Sequence, residues 1–257
     1  MTNGTGQPLI TAQGLRKEFN GKVAVAGVDL NVYGGEIFGF LGPNGAGKTT
    51  TIKMLIGLLR PSSGNAFIGT HDIHAHPIPA KALLGYVPDE PALPDKLTAR
   101  EFFQFVGGLY RIPPAHVERR GTELLRLFDL QDHADELLGG FSHGMRQKTA
   151  LAGALLHDPK VLFLDEPTVG LDPRSARLIK DILRQLAARG TAVFLTTHIL
   201  EIAERLCDRV AIIAGGRVIA AGSLNELRQG STGQSLEDIF LSLTGGAEYA
   251  EIAEVLA

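Results

Sequence analysis

The sequence predicts an α/β protein built on a mostly parallel sheet, and its apolar runs carry this prediction. Four runs are short and continuously apolar, at residues 37–41, 161–164, 193–195 and 210–213. Such runs are typical of strands buried on both faces of a parallel sheet, with helices between them. A chain of 257 residues, 44% of them hydrophobic, can bury this core as one domain, with or without a smaller inserted domain.

The overall charge and the cysteine content narrow the class of protein. The net charge is −3 without a basic cluster, whereas a nucleic-acid surface usually carries a marked basic excess. We therefore expect no nucleic-acid partner. Cys207 is the only cysteine, which excludes an internal disulfide and is compatible with a reducing compartment. Its expected role is packing.

The start of the chain and its apolar runs bear on membrane insertion. Residues 1–14 lack the basic and apolar regions of a secretory signal. No run approaches the roughly 18 apolar residues that indicate a membrane span. We expect a chain that is soluble by itself, so that any membrane role comes through a partner.

Two looser patterns predict antiparallel strands beside this core. Residues 9–15 and 23–32 alternate partially between apolar and polar side chains around an Asn-Gly turn. Residues 210–214 and 217–221 flank a Gly-Gly pair, which supplies the positive φ angles of a two-residue hairpin turn. We expect the first pair to lean on the parallel strands and the second to form a hairpin.

Helical patterns replace strand patterns over about residues 91–150, which predicts a helical insertion into the core. Thr98 and Glu101 have the spacing of a capping box, so one helix is expected to begin there and a second near residues 116–128. The first helix has apolar residues around too much of its circumference for a one-sided surface helix. It is therefore either well buried or partly in contact with a partner. The apolar residues of this first helix are Phe102, Phe103, Phe105, Val106 and Leu109.

A glycine-rich segment directly after the first apolar run predicts a phosphate site. Its pattern, glycine, four residues, then Gly-Lys-Thr, lets backbone N–H groups turn towards a phosphate. Lys48 is expected to reach the β and γ oxygens, and Thr49 to ligate Mg²⁺. A helix is expected over residues 50–59, with its positive end facing the anion. The predicted nucleotide-binding residues are Gly42, Pro43, Asn44, Gly45, Ala46, Gly47, Lys48, Thr49 and Thr50.

Two adjacent acids, Asp165 and Glu166, end the apolar run at 161–164. Successive side chains at the end of a strand point in different directions, so the two carboxylates can do different work. Asp165 is expected to hold Mg²⁺, and Glu166 to polarise the water that attacks the γ-phosphate. Together with the phosphate loop, these acids predict a site where water attacks a γ-phosphate in the presence of Mg²⁺.

The order of these motifs resembles the ATP-binding subunit of an ATP-binding cassette (ABC) transporter over nearly the whole chain. Residues 141–145, Phe-Ser-His-Gly-Met, resemble the family signature Leu-Ser-Gly-Gly-Gln and precede the acidic pair as in the family. Asp172 matches the D-loop aspartate, and His198 matches the switch histidine, which is expected to contact the γ-phosphate. Phe19 stands where the family has an aromatic residue that stacks on adenine.

The resemblance implies a fold and an assembly. The fold would be a P-loop NTPase core with a mostly parallel sheet, an N-terminal antiparallel β subdomain and the inserted helical subdomain, over residues 8–245, with a tail at 246–257. Two cassettes, identical or related, would sandwich two ATP molecules, each between one phosphate loop and the partner's signature, here Ser142 and Gly144. An integral-membrane permease on a separate chain would hold them at the cytoplasmic face of the membrane. The expected catalytic residues are Lys48, Glu166 and His198.

Three positions depart from the family pattern. Asp89, in the loop Gly-Tyr-Val-Pro-Asp-Glu-Pro, stands where the family usually has a glutamine that touches Mg²⁺ and the attacking water. We expect its shorter, anionic side chain to keep a metal-sensing role. His143 and Met145 replace glycine and glutamine of the signature. The pattern Ser-His-Gly-Met and residues 235–245 resemble bacterial exporter-type cassettes, which implies export.

Other interpretations stay open. A soluble ABC protein could regulate or assemble other proteins without transport, although such relatives usually carry two cassettes or a long coiled coil, and this sequence has one cassette and no sustained heptads. An ATP-binding switch with little turnover would fit Asp89, but the presence of Glu166 and His198 argues against it. Three histidines at positions 71, 74 and 76 lack the spacing of a helical metal site, so we expect a solvated loop there rather than zinc.

Overall fold

The structure is a computed structural model that describes residues 6–228 and 235–244. Its strands are β1 Ile10–Phe19, β2 Lys22–Val32, β3 Ile37–Leu41, β4 Ser63–Ile68, β5 His71–Asp72, β6 Leu84–Val87, β7 Val161–Asp165, β8 Ala192–Thr197, β9 Arg209–Ala214 and β10 Arg217–Ser223. Within the described ranges they form one sheet in the order β5-β4-β1-β2-β10-β9-β3-β8-β7-β6. The predicted α/β class is confirmed.

Helices alternate with these strands. They are α1 Lys48–Leu55, α2 Pro77–Ala82, α3 Ala99–Leu109, α4 Pro114–Leu127, α5 His143–Leu155, α6 Pro173–Ala188, α7 Leu200–Leu206, α8 Leu224–Leu227 and α9 Leu236–Thr244. Short 3₁₀ turns occupy Gln131–His133 and Leu138–Gly140. Over the described ranges, no helix combines the length and the apolar character that crossing a membrane requires.

The parallel part of the sheet consists of β3, β6, β7, β8 and β9. β3 lies between β8 and β9, and β7 lies between β8 and β6. Every residue of β3, β7 and β8 is buried, as their continuous apolar sequences predicted. Because the carboxyl ends of parallel strands share one edge of a sheet, the segments that follow β3, β6, β7 and β8 meet there.

The two faces of the parallel sheet carry different side chains, because successive residues of a strand alternate between faces. Phe38, Phe40, Phe163 and Phe194 share one face. The ring centroid of Phe194 lies 5.7, 5.5 and 5.4 Å from those of Phe38, Phe40 and Phe163. The opposite face packs mainly aliphatic side chains against α5, α6 and α7. The sheet therefore separates two hydrophobic cores.

The antiparallel strands lie where the sequence predicted them. β1 pairs with β2 from Ile10 opposite Val32 to Phe19 opposite Lys22, and β4 pairs antiparallel with β1. β9 and β10 form the predicted hairpin, with both turn glycines at positive φ. A parallel bridge between β10 and β2 joins this antiparallel layer to the parallel core.

The helix after the phosphate loop is shorter than the sequence predicted. α1 ends at Leu55, so the expected continuation to residue 59 is wrong. Gly57 has a φ of 70°, and the amides of Leu58 and Leu59 both donate to the carbonyl oxygen of Lys53. A glycine in the left-handed region ends helices in this way, and it stops α1 here.

Both predicted helices of the insertion are present as α3 and α4. Thr98 caps α3, and its side chain and that of Glu101 form both hydrogen bonds of the capping box. The two helices cross closely, since a Cβ atom at Gly107 would lie 2.3 Å from Val117 Cγ2. Arg100 adds ion pairs on the outer side of this helix pair, 2.7 Å to Glu118 and 3.1 Å to Asp135.

The apolar residues of α3 divide between core and surface. Phe103 is buried and Phe102 and Val106 are half-buried, whereas Phe105 and Leu109 are 55% and 66% exposed. Full burial of this helix is therefore ruled out. Of the two alternatives that the sequence left open, the uncovered apolar surface fits the one in which part of the helix meets a partner.

Candidate active site

The phosphate-loop segment joins β3 to α1 and is held closely against neighbouring strands. Gly47 has a φ of 109°, and a Cβ atom there would lie 2.8 Å from the carbonyl oxygen of Ala24. At Gly42 a Cβ atom would lie 2.4 Å from the carbonyl oxygen of Ile213. Both positions therefore require glycine. The tight packing fixes the first turn of α1, whose N–H groups have no partner within the helix.

Lys48 extends back along this loop. Its Nζ donates to the carbonyl oxygens of Gly42 at 2.7 Å and Pro43 at 3.2 Å. The side chain is buried. Burial lowers the pKa of Lys48, and the carboxylates of Glu166 and Asp165 oppose that change. The ammonium is thus held by the loop at the centre of the site.

The acidic pair follows β7, as predicted, and is held by Thr196 at the same end of β8. The Thr196 hydroxyl donates to Asp165 Oδ1 and accepts from the Glu166 amide, 3.2 Å away. Glu166 has a φ of 48°, in the left-handed region. This turn separates the two carboxylates, with Asp165 buried under the hydroxyl and Glu166 turned towards His198. Sequence reasoning missed Thr196, whose only signal was its place at the end of a strand.

His198 lies directly against Glu166. Its Nδ1 is 2.9 Å from Glu166 Oε1, and its backbone amide donates to Oε2 at 3.4 Å. The side chain of Glu166 is only 12% exposed, and that of His198 is 50% exposed. The histidine therefore orients the carboxylate that was predicted to activate water.

Asp89 follows β6 and lines the same cleft as Asp165 and Glu166. Loss of hydration raises the pKa of Asp89, and repulsion by Asp165, Glu166 and Glu90 raises it further. His143 opposes this change. The carboxyl thus holds its proton to a higher pH than a solvated aspartate, which is the behaviour of acids that share one site.

These elements surround one cleft. Its walls include most of the predicted residues, namely Asn44, Gly45, Gly47, Lys48, Thr49, Thr50, Asp89, Asp165 and Glu166. Ala24 also lines the cleft and was not predicted. A cationic lysine and helical N–H groups suit phosphate oxygens, and the hydroxyl and carboxylate oxygens are the ligands that Mg²⁺ prefers. Gly42 and Pro43 contribute through their bonds to Lys48, and Ala46 is buried beneath the loop.

The predicted residues of the signature segment and the D-loop lie outside this cleft. Ser142 caps α5, and its hydroxyl accepts from the Met145 amide at 3.3 Å. Gly144 follows in the first turn of α5, where a Cβ atom would lie 3.6 Å from Leu171. Asp172 caps α6 by accepting from the amides of Arg174 and Ser175. Their part in nucleotide binding stays a prediction that depends on a second molecule.

Phe19 also lies apart from the residues that line the cleft. It ends β1 with its side chain 45% exposed. The ammonium of Lys17 lies 5.1 Å from the centre of its ring. An exposed aromatic face can stack on a planar base, so the adenine contact stays a prediction that the exposure of the ring allows.

Fold and site together define a nucleotide hydrolase of the P-loop class. The family model described as "ABC transporter" matches residues 25–169, which include the phosphate loop, Asp89, the signature segment and the acidic pair. The chain therefore belongs to the ABC transporter family as an ATP-binding subunit, and ATP hydrolysis is its activity. The resemblance drawn from the motifs is confirmed.

Individual relatives agree with this assignment. The daunorubicin/doxorubicin resistance ATP-binding protein DrrA of Streptomyces peucetius is 44% identical over 219 residues, 85% of this chain and 66% of that protein. The Nod factor export ATP-binding protein I of Ralstonia nicotianae is 39% identical over 233 residues, 91% of this chain and 73% of that protein. A dimeric ATP-binding cassette solved in a post-hydrolysis state with ADP and Pi matches with a TM-score of 0.77 and 25% identity, covering 84% of this chain and 98% of that chain.

Replacing Asp89 tests its predicted metal-sensing role. We expect Asp89→Asn to raise the Mg²⁺ concentration for half-maximal ATP hydrolysis by about 10-fold, because an amide is a weaker ligand or water acceptor than a carboxylate. Mg²⁺ titrations of phosphate release measure the effect. Glu90→Gln, at the neighbouring exposed acid, is the control and should behave like the wild type. An unchanged rate and Mg²⁺ dependence in Asp89→Asn would leave Asp89 as a loop residue.

Replacing His198 separates turnover from binding. We expect His198→Ala to lower kcat by about 10²-fold for two reasons. Glu166 loses the side chain that orients it, and the γ-phosphate loses a predicted hydrogen-bond donor. The ATP affinity should stay close to that of the wild type. Steady-state hydrolysis and nucleotide titration give the two values. His133→Ala removes a similarly exposed histidine that pairs with Glu136 and serves as the matched control. A wild-type kcat would remove the assignment.

Proposed function

We propose that this chain, paired with a second cassette, powers an exporter whose membrane-spanning subunit is a separate chain. The observation that carries this proposal is an apolar groove beside the active-site cleft, between α3, α5 and the loop after β6. Its lining residues are Leu84, Gly85, Tyr86, Pro88, Pro91, Ala92, Leu93, Phe102, Val106, Leu109, Tyr110, Ala150, Gly153 and Ala154. This uncovered apolar surface suits a partner segment better than water.

The occupant we propose is a short apolar segment of the membrane subunit. Leu109 lines the groove and Phe105 extends the apolar surface beyond it, and both are more than half exposed. Small residues let the lining pack closely: a Cβ atom at Gly153 would lie 2.6 Å from the ring of Phe102, and one at Gly85 would lie 2.7 Å from the carbonyl oxygen of Ala154. A larger side chain at either position would displace a residue that lines the groove.

The groove and the catalytic cleft share one connecting segment. Pro88 and Pro91 line the groove, while Asp89 between them lines the cleft. A partner that moves this segment therefore changes the position of a carboxylate beside Asp165 and Glu166. This continuity supports a coupling between transport and hydrolysis.

A second cassette would supply what the cleft lacks. Ser142 and the first turn of α5 present a hydroxyl and backbone N–H groups, yet they lie outside the cleft of their own chain. The end of a helix with such donors is suited to a γ-phosphate. We propose that they contact ATP held by the partner cassette, so that ATP closes the pair and hydrolysis releases it.

In the closed pair, Glu166 would accept the proton of the attacking water while His198 holds its carboxylate in place. Lys48 would bind the transferred phosphoryl group through its ammonium. Thr49, Asp165 and Asp89 would hold Mg²⁺, which neutralises charge on the phosphate oxygens when bound. Thr196 would keep Asp165 oriented for that role. The export direction is supported by the name of the Nod factor export relative.

Co-purification tests this proposal. Tagged protein is isolated from gently solubilised native membranes, with and without ATP, and we expect an integral-membrane protein to co-purify at fixed stoichiometry. Leu109→Glu places a charge on the proposed contact and should release that partner. Leu127→Glu is the matched control, because Leu127 is 46% exposed on α4 and does not line the groove.

The opposite result is equally informative. Recovery of the protein in the soluble fraction alone, with no integral-membrane companion under either condition, would favour the soluble regulatory function. Retention of the partner by Leu109→Glu would move the contact away from the groove. If a complex with an integral-membrane partner is recovered, its reconstitution into vesicles would establish the direction of transport.

A further inference from the structure

Arg146 makes an unusual set of contacts for a residue in the first turns of the signature helix. Its amide donates to the carbonyl oxygen of Ser142 at 2.9 Å, so the two residues lie on adjacent turns of α5. Its Nη1 donates to Asp95 Oδ1 and to the carbonyl oxygen of Leu138, both at 2.8 Å. Its Nη2 donates to the carbonyl oxygen of Leu93 at 3.2 Å. One side chain thus binds two separate parts of the chain, the loop at residues 91–95 and the carbonyl oxygen of Leu138.

The loop held by Arg146 lines the groove. Pro91 and Leu93 line the proposed contact for the membrane subunit, and the Arg146 guanidinium reaches the carbonyl oxygens of both, Pro91 at 3.5 Å. Ser142 is one turn away on the other side of Arg146. A planar guanidinium holds several acceptors in fixed directions, which a flexible lysine ammonium does not do. Arg146 therefore spans the distance between groove wall and signature serine.

We infer that Arg146 is a positioning residue that makes the loop at residues 89–95 and the signature helix move as one. This inference rests on the proposed function, because it assigns a path between the partner contact and the site that binds the second ATP. When ATP draws Ser142 towards the partner cassette, Arg146 carries the loop with it. In the other direction, a partner that displaces the loop moves Ser142.

A purely structural role would have different consequences. The Asp95 carboxylate is 69% exposed, so its ion pair with Arg146 contributes little to stability. The bonds to backbone carbonyl oxygens are the better-shielded part, since the Arg146 side chain is 22% exposed. Their loss should uncouple two segments while leaving the fold in place. The experiment must therefore record a movement of the loop, and the thermal stability of each variant must be measured as well.

A label at the groove wall reports this movement. Ala92 is exposed beside the loop carbonyls, and Ala92→Cys accepts an environment-sensitive dye. The natural Cys207 stays unlabelled, because it is buried and burial raises the pKa of its thiol. The measurement uses a Glu166→Gln background, so that bound ATP is not hydrolysed while the emission is recorded. We expect ATP to change the dye emission in this parent protein and Arg146→Lys to abolish the change at unchanged ATP affinity.

Matched variants make the result specific. Arg100→Lys changes another arginine of the helical insertion, which pairs with Glu118 and Asp135. Because this arginine does not touch the loop, the variant should keep the full emission change. Asp95→Asn removes only the ion pair with Arg146. It should leave most of the emission change, since the bonds from Arg146 to the backbone carbonyl oxygens remain. Thermal unfolding of each variant, followed by circular dichroism, shows whether the fold is intact.

The outcomes separate the inference from the function on which it rests. A full emission change in a folded Arg146→Lys protein overturns the inference. So does an ATP-dependent dimer of the parent protein, seen by size-exclusion chromatography, whose label does not respond. Absence of an ATP-dependent dimer, both of this chain alone and with any related cassette that co-purifies with it, contradicts the proposed function itself.

Discussion

Glu166→Gln is expected to lower ATP turnover by about 10²–10⁴-fold, the usual contribution of a general base. Glutamine has nearly the same shape, so the hydrogen bond to the His198 amide can remain, but its amide does not accept the proton of the attacking water. ATP binding should persist, because Lys48 and the phosphate loop are unchanged. Phosphate release by the purified protein, compared with nucleotide titration, measures both quantities.

The control for this prediction is another glutamate, which follows the neighbouring strand β8. Glu201 lies in the first turn of α7, three residues after His198, and forms an exposed pair with Arg205 at 2.9 Å, so Glu201→Gln should retain wild-type turnover. A Glu166→Gln protein that hydrolyses ATP within a few-fold of the wild type would show that another group activates the water. Asp89 would then be the next candidate, since it lines the same cleft.

Lys48→Ala is expected to lower kcat/KM for ATP by about 10²–10³-fold, because one charge-assisted donor to the phosphates is lost. The structure adds a second reason. The ammonium also holds the carbonyl oxygens of Gly42 and Pro43, so the loop loses an internal support. Steady-state kinetics at varied ATP concentration measure the effect, and wild-type kinetics would contradict the role of Lys48.

The lowered pKa of Lys48 gives this prediction a pH dependence. Burial favours the neutral amine, so the positive charge is present at low pH and is lost as pH rises through a value below that of a solvated lysine. ATP affinity should therefore fall on the alkaline side earlier than an ordinary lysine would allow. Lys48→Arg stays charged over this range, and its affinity should show a flatter pH profile. Identical profiles for the two proteins would assign the pH dependence to another group.

Much of the fold is predictable because its signals are local. The strands β3, β7 and β8 are continuous apolar segments, and α3 begins at a capping box that both side chains complete. The end of α1 was predicted wrongly although Gly57 was visible in the sequence. A single glycine inside an apolar pattern is tolerated in many helices. Here its positive φ ends the helix because it lets the amides of Leu58 and Leu59 donate to the carbonyl oxygen of Lys53.

The site residues also divide into those that a local motif predicts and those that only the folded structure brings together. Lys48, Asp165 and Glu166 were predictable because their motifs are contiguous and each motif has one physical purpose. Thr196 was not, since its contact with Asp165 depends on the register of β7 against β8. Arg146 is similar, because it reaches Asp95 and Leu93 across the helical insertion. Such partners are set by tertiary packing, which no local pattern reports.

The left-handed backbone at Glu166 has a consequence for how this protein evolves. A non-glycine residue in that region is disfavoured by about 1–3 kcal/mol, and here it is the glutamate expected to do the chemistry. Glycine at this position would relieve that backbone cost, but it would remove both the base and its hydrogen bonds with His198. The glutamate is therefore kept against a local backbone preference, as expected of a residue retained for activity rather than for stability.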